Sequence, residues 1–185
     1  MFNIANQLTL CRIACIPLLA LMFYSEFEWR HLACAVLFTL AGITDALDGY
    51  VARKYGLTTP FGAFLDPVAD KLMVAVALAL LIEENGALLF TLPATVIISR
   101  EIVISALREW MAELGKRANV AVSNIGKVKT TFQIVAIVIL LAFPAAKSEL
   151  FHNLGIVSLY IAASLTLWSM LVYLKAAWPS LSAQD

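Results

Sequence analysis

The sequence predicts an all-α integral membrane protein with six transmembrane helices and both termini on the cytoplasmic side. Three observations carry this prediction. Of the 185 residues, 62% are hydrophobic and 14% charged, and the mean hydropathy is +0.87, a balance that water-soluble domains rarely show. The apolar residues gather in six runs, at about 8–24, 31–52, 61–82, 87–110, 126–143 and 151–174, each long enough to cross a bilayer. The basic residues are divided unevenly between the two sets of connecting loops.

Each run has its own boundary signals. Arg12 precedes an apolar stretch in the manner of a secretory signal, but no small-residue cleavage site follows before Tyr24, Ser25 and Glu26, so the segment reads as a retained span. Pro17 marks a kink within it. The second run follows the polar stretch 25–30 and ends among Asp45 and Asp48. The third contains Asp66, Pro67 and Asp70 and stops at Glu83, Glu84 and Asn85. Pro93 suits an early turn of the fourth, which carries Arg100 well inside it, and Pro144 ends the fifth. The sixth stops at Lys175. Little polar chain is left over, so residues 1–185 read as one transmembrane domain without internal repeats.

The loops after the first, third and fifth runs, at 25–30, 83–85 and 145–149, hold only Arg30 and Lys147 as basic residues. The other eleven of the thirteen Lys and Arg side chains fall on or near the opposite side, which the positive-inside rule places in the cytoplasm. Tyr24, Trp29, Trp110 and Trp178 lie near run ends, where interfacial aromatics anchor, whereas Trp168 lies within the last span. Cys11, Cys15 and Cys34 lack the spacing of a zinc site or a disulfide framework. His31 and His152 each begin an even-numbered run, so no histidine chemistry is expected. A net charge of zero gives no reason to expect a nucleic-acid partner.

Against this apolar background, four acids demand an account: Asp45 and Asp48, then Asp66 and Asp70. On a helix, Asp45, Asp48, Gly49 and Ala52 share one face, and Asp66 and Asp70 share another, one turn apart. The second and third helices run antiparallel across a short turn, so the four carboxylates can meet in one cytoplasmic cavity and bind two hard cations through oxygen. Gly49 and Gly62 leave room for a ligand to approach backbone, and Arg53 can bind a phosphate oxygen. Other readings exist for single residues. Asp66 before Pro67 is also the pattern of a helix cap, and Asp45 could pair with a buried arginine. A proton or cation pathway is a further alternative for the cluster, although carrier sites favour the bilayer midplane and repeat symmetry.

The stretch Asp45, Asp48, Gly49, Ala52, Arg53, Gly62, Asp66 and Asp70 resembles the signature of the CDP-alcohol phosphotransferase family at every fixed position. The resemblance implies a six-helix membrane enzyme, usually a homodimer, that uses two divalent ions, Mg2+ or Mn2+, to displace CMP from a CDP-linked alcohol. It further implies that Asp45, Asp48 and Asp66 are metal ligands and that Asp70 completes the metal site and acts as general base. Gly49, Ala52, Arg53 and Gly62 would then shape the nucleotide and pyrophosphate pocket. An intramembrane prenyltransferase also binds diphosphate through aspartates, but the Gly, Ala and Arg spacing favours the CDP-alcohol site.

The fourth and fifth runs narrow the expectation. Arg100, Glu101, Leu107, Arg108, Glu109 and Trp110, with Gly126, Lys127, Val128, Lys129, Thr130, Thr131 and Gln133, resemble bacterial members of the family that join CDP-diacylglycerol to glycerol 3-phosphate. The implied product is phosphatidylglycerophosphate, made at the cytoplasmic face of the bacterial inner membrane. Inositol phosphate and serine are the alternative acceptors within the same class. Glycerol 3-phosphate is a small dianion, so its pocket needs fixed cations, and an idle charge at Arg100 would be costly inside a span. Arg100 and Arg108 lie about 80° apart on a helix, compatible with one broad face. Lys127 and Lys129 point nearly oppositely, so at most one reaches substrate on a regular helix; interfacial snorkelling is the other reading of both. Arg12, one turn after Thr9, is a further candidate for the same phosphate.

Overall fold

The computed structural model describes residues 4–55, 60–113 and 124–181. These form six helices and, among the described residues, no strand: α1 (Ile4–Tyr24), α2 (Arg30–Tyr55), α3 (Pro60–Asn85), α4 (Leu88–Glu113), α5 (Asn124–Ala142) and α6 (Glu149–Leu181). All six expected runs are therefore helical. The largest departure is at the end of α6, which continues past Lys175 to Leu181. The apolar run ends at Lys175, but Lys, Ala and Ala are good helix formers, so the helix outlasts the hydropathy.

Helix α3 starts at Pro60, which leaves Asp66 and Pro67 inside the helix. Asp66 is thus not a helix cap, and its carboxylate is left for another purpose. At the other end, α3 stops at Gly86, whose φ of 59° is the left-handed conformation that glycine adopts without a Cβ clash. The Gly86 amide donates to the Ile82 carbonyl at 3.0 Å and closes the last turn.

The exposed surfaces of these helices are as apolar as their buried ones. Leu21, Leu88 and Leu89 are each 71% exposed, while Leu19, Leu78, Leu81 and Leu141 are fully buried. Helices that are hydrophobic all round are at home in lipid, not in water. Among the described residues, α1 from Gln7 to Tyr24, α4 from Leu88 to Glu113 and α6 from Glu149 to Lys175 are long and apolar enough to cross a membrane, and α5 contributes the shorter apolar stretch Val128–Ala142. The two helices outside that set, α2 and α3, are the ones that carry the aspartates.

Helix α1 packs on α2 and α3, α4 on α3 and α6, and α5 on α2 and, most extensively, on α6. Small residues permit the last contact. A Cβ on Gly155 of α6 would stand 2.7 Å from Leu140 Cγ and 2.9 Å from its Cδ2. The core runs through Phe38, Ala77, Leu81, Phe90, Ala94, Ile97, Leu140 and Leu159. Cys11, Cys15 and Cys34 are all free thiols, as their spacing suggests.

Candidate active site

The first polar cluster lies where α1, α2 and α3 meet. Arg12 presents Nη1 to Oδ1 of Asp45 at 2.6 Å and to Oδ1 of Asp70 at 2.9 Å. One turn earlier on α1, the Thr9 hydroxyl donates to Oδ1 of Asp66 at 2.5 Å. The alternative reading of Asp45 as the partner of a buried arginine is therefore what the structure shows, with Asp70 sharing the same nitrogen. Arg12 is 3% exposed, whereas the side chains of Asp45 and Asp70 are 36% and 47% exposed. The cation is sunk in the bundle and the acids open outward. Burying such a charge is costly unless it is paired, and the helical phase that gathers the acids supplies the pairing.

The second cluster shares a residue with the first. A cavity of about 260 Å³ is lined by Asp70 and Lys71 of α3, by Arg100, Glu101 and Arg108 of α4, and by Lys129 of α5, with Tyr173 of α6 at its wall. Arg100 and Lys129 are buried. Arg100 Nη1 donates to Glu101 Oε1 at 2.6 Å, and Lys129 Nζ lies 3.4 Å from the same oxygen. Arg100 Nη2 reaches Ser169 Oγ on α6 at 3.3 Å, and Lys71 donates to Ser105. Among the described lining residues four cations stand against two carboxylates, a balance that suits an anion, and one of the carboxylates is an aspartate.

Another cavity of about 260 Å³ lies at the opposite end of the bundle, lined by Glu84, Asn85, Pro144, Ala145, Ala146 and His152. Among the described residues no lysine or arginine lines it. His31, paired with Glu84 at 3.5 Å, belongs to this end, away from the aspartates. Both histidines thus belong to the Glu84 end of the bundle.

Of the sequence-predicted site residues, Asp45, Asp66, Asp70, Arg100, Arg108 and Lys129 fall in these two connected clusters, and Gly62 is buried in the first turn of α3. Arg12 stands among the acids and is not one of the cavity's lining residues. The side chains of Asp48, Gly49, Ala52, Arg53 and Lys127 lie outside the described residues, although all five positions are helical. Glu101, Lys71 and Ser169 had no assigned role. The signal for Glu101 was its place beside Arg100 in the basic stretch; Ser169, on a distant helix, had none.

Among the described residues no three Asp, Glu, His or Cys side chains close into a metal cage. The donor chemistry nevertheless fits a hard cation: carboxylate oxygens of Asp45 and Asp70 converge on one positive group, and oxygen-only ligands suit Mg2+ or Mn2+.

Comparison with known proteins places the chain in a family. The family model for CDP-alcohol phosphatidyltransferases matches residues 2–169. The chain is similar to proteins named CDP-diacylglycerol--glycerol-3-phosphate 3-phosphatidyltransferase. That of Sodalis glossinidius is 56% identical over 175 residues, covering 95% of this chain and 94% of the relative. That of Pectobacterium atrosepticum is 56% identical over 176 residues, 95% of each. The Pseudomonas fluorescens protein is 56% identical over 180 residues, 97% of this chain and 92% of the relative. With the signature in sequence, the six helices in structure and a family match over most of its length, the chain belongs to the CDP-alcohol phosphatidyltransferase family.

Proposed function

We propose that this enzyme transfers the phosphatidyl group of CDP-diacylglycerol to glycerol 3-phosphate, giving phosphatidylglycerophosphate and CMP, with two divalent cations, Mg2+ or Mn2+, as cofactors. The observation that carries this reading is the single cavity in which Asp70 stands with Arg100, Arg108 and Lys129. A phosphorylated acceptor held by those cations would bring its hydroxyl to the only aspartate among the described lining residues. The names of relatives at 56% identity support the same substrates.

The chemistry follows from the residues. Asp70 accepts the proton of the acceptor hydroxyl as its oxygen attacks the phosphatidyl phosphorus. The bond from that phosphorus to the CMP oxygen breaks, and CMP leaves. Asp45, Asp48 and Asp66, with Asp70, hold the cations, which when bound neutralise charge on the pyrophosphate. Gly49, Ala52 and Gly62 leave space for the nucleotide and pyrophosphate, and Arg53 binds a phosphate oxygen. Arg100, Arg108 and Lys129 hold the acceptor phosphate, with Lys127 as a further candidate. Arg12 serves the acid cluster rather than that phosphate.

The whole chain acts as one transmembrane domain of the bacterial inner membrane, a homodimer with both termini and the active site facing the cytoplasm. The acyl chains of the donor remain in the bilayer. The test is an assay of detergent-solubilised enzyme with CDP-diacylglycerol and Mg2+ or Mn2+, comparing glycerol 3-phosphate, inositol phosphate and serine by CMP release. Release with glycerol 3-phosphate alone, lost on chelation, is expected. Equal release with serine would overturn the acceptor assignment, and release in excess chelator would overturn the cofactor.

A further inference from the structure

An anion pocket inside a membrane bundle has little reason to contain a second carboxylate, yet Glu101 lines the cavity. Its charge opposes the phosphate that the cavity is suited to hold. Its contacts explain why it is there. One oxygen, Oε1, takes Arg100 Nη1 at 2.6 Å and stands 3.4 Å from Lys129 Nζ, so residues from α4 and α5 are held at a common point. The Glu101 side chain is 21% exposed while those of Arg100 and Lys129 are 5% and 6% exposed. The arginine is held from its other end as well: Nη2 reaches Ser169 Oγ at 3.3 Å, and that hydroxyl donates to the Thr166 carbonyl at 2.9 Å. This leaves Arg100 Nε buried without a hydrogen-bond partner. A buried guanidinium fixed at Nη1 and Nη2 is held in one orientation at the wall of the cavity, with donor capacity left over for an oxyanion.

Charge points to the same ligand class. Among the described residues that line the cavity, Lys71, Arg100, Arg108 and Lys129 stand with Asp70 and Glu101, an excess of two positive charges. That excess matches a phosphomonoester dianion. Without Glu101 the pocket would hold one more uncompensated charge and two long side chains with no common anchor, and flexible cations lose entropy when they must order around a ligand.

We propose that Glu101 is a positioning residue of the acceptor pocket: by binding Arg100 and Lys129 through one oxygen it presets both cations for a phosphomonoester dianion. The proposal rests on the acceptor assignment above, and the two can fail separately. If wild-type enzyme gives no CMP with glycerol 3-phosphate, the acceptor reading is wrong; if wild type turns over and the variants behave like it, only the role of Glu101 is wrong.

The experiment compares full-length wild type, Glu101→Gln and Glu101→Asp in detergent, with separate titrations of glycerol 3-phosphate and CDP-diacylglycerol and a thermal melt of each. Glu101→Gln should raise KM for glycerol 3-phosphate by about tenfold, the usual consequence of losing charge-assisted bonds. Its KM for CDP-diacylglycerol should stay within about twofold, because uniform loss of fold would move both. Glu101→Asp keeps the charge on a shorter stem and should recover part of the loss. Inorganic phosphate should inhibit wild type competitively against glycerol 3-phosphate and inhibit Glu101→Gln correspondingly less. Parallel shifts in both KM values, or an unchanged KM for glycerol 3-phosphate with a lowered Tm, would make Glu101 a structural counter-ion only and overturn the proposal.

Discussion

Replacing Arg12 with Met removes the one positive group that joins Asp45 to Asp70 while keeping most of the buried stem. Charge-assisted hydrogen bonds contribute about 1.5–3 kcal/mol each when buried. Here the acids are 36% and 47% exposed, and solvent screening at those carboxylates reduces the sum of the two bonds to roughly 2 kcal/mol. For a chain of this length each kcal/mol moves Tm by about 2–4 °C, so Arg12→Met should melt about 4–8 °C below wild type in excess chelator.

The same geometry predicts how Mg2+ changes that difference. In wild type the guanidinium already offsets the carboxylate charge, whereas in the variant the acids repel one another until a cation binds. Saturating Mg2+ should therefore raise the Tm of Arg12→Met by several degrees more than it raises wild type, through its binding to the folded state. Thermal melts followed by intrinsic fluorescence, with chelator and with Mg2+, measure both quantities. An Arg12→Met variant with the wild-type Tm in chelator would refute the ion-pair account. An equal Mg2+ response in both proteins would refute the claim that arginine and cation serve the same carboxylates.

Three further outcomes follow from other parts of the structure. Asp70→Asn should lower CMP release by at least about 100-fold, the low end for a lost general base, while the protein still inserts in membranes; a nearly active variant would remove Asp70 from the chemistry. Arg100→Lys keeps the charge but not the fork that spans Glu101 and Ser169, so KM for glycerol 3-phosphate should rise about tenfold with kcat less affected, read by the same assay. Gly155→Val pushes a branched side chain against Leu140, where even a Cβ stands 2.7 Å from Cγ; overpacking of this kind costs about 1–3 kcal/mol, and a lowered Tm with unchanged KM values is the expected result.

The acids were readable in sequence because their spacing obeys the helical period. Three and four residues separate them, and any helix through 45–48 and 66–70 gathers them on its faces. The partner of those acids was less accessible. Arg12 precedes Asp45 by more than thirty positions, and only the packing of α1 against both α2 and α3 brings its guanidinium between Asp45 and Asp70. Nothing in its local sequence separates that role from the phosphate-binding role expected of it. Lys129 shows the converse case. Period alone divided Lys127 from Lys129 without choosing between them, whereas the fold buries Lys129 against Glu101. Ser169 lies among apolar residues of α6 and becomes meaningful only through its contact with α4.

Asp70 is where the two clusters become one site. On one side it accepts a hydrogen bond from Arg12 of α1; on the other it lines the cavity with Arg100, Arg108 and Lys129. It follows α3 residue Asp66 by one helical turn and immediately precedes Lys71, so α3 is the common wall of the acid cluster and the basic cavity. In the proposed reaction a donor pyrophosphate would approach from the side of Asp45 and Asp66, and an acceptor phosphate from the side of Arg100, where among the described residues fixed cations exceed carboxylates. The two substrates would meet at Asp70, with the attacking hydroxyl and the leaving CMP on opposite sides of the phosphorus, the in-line arrangement that phosphoryl transfer requires. Because Asp66, Asp70 and Lys71 share one helix, α3 would fix their relative directions before either substrate arrives.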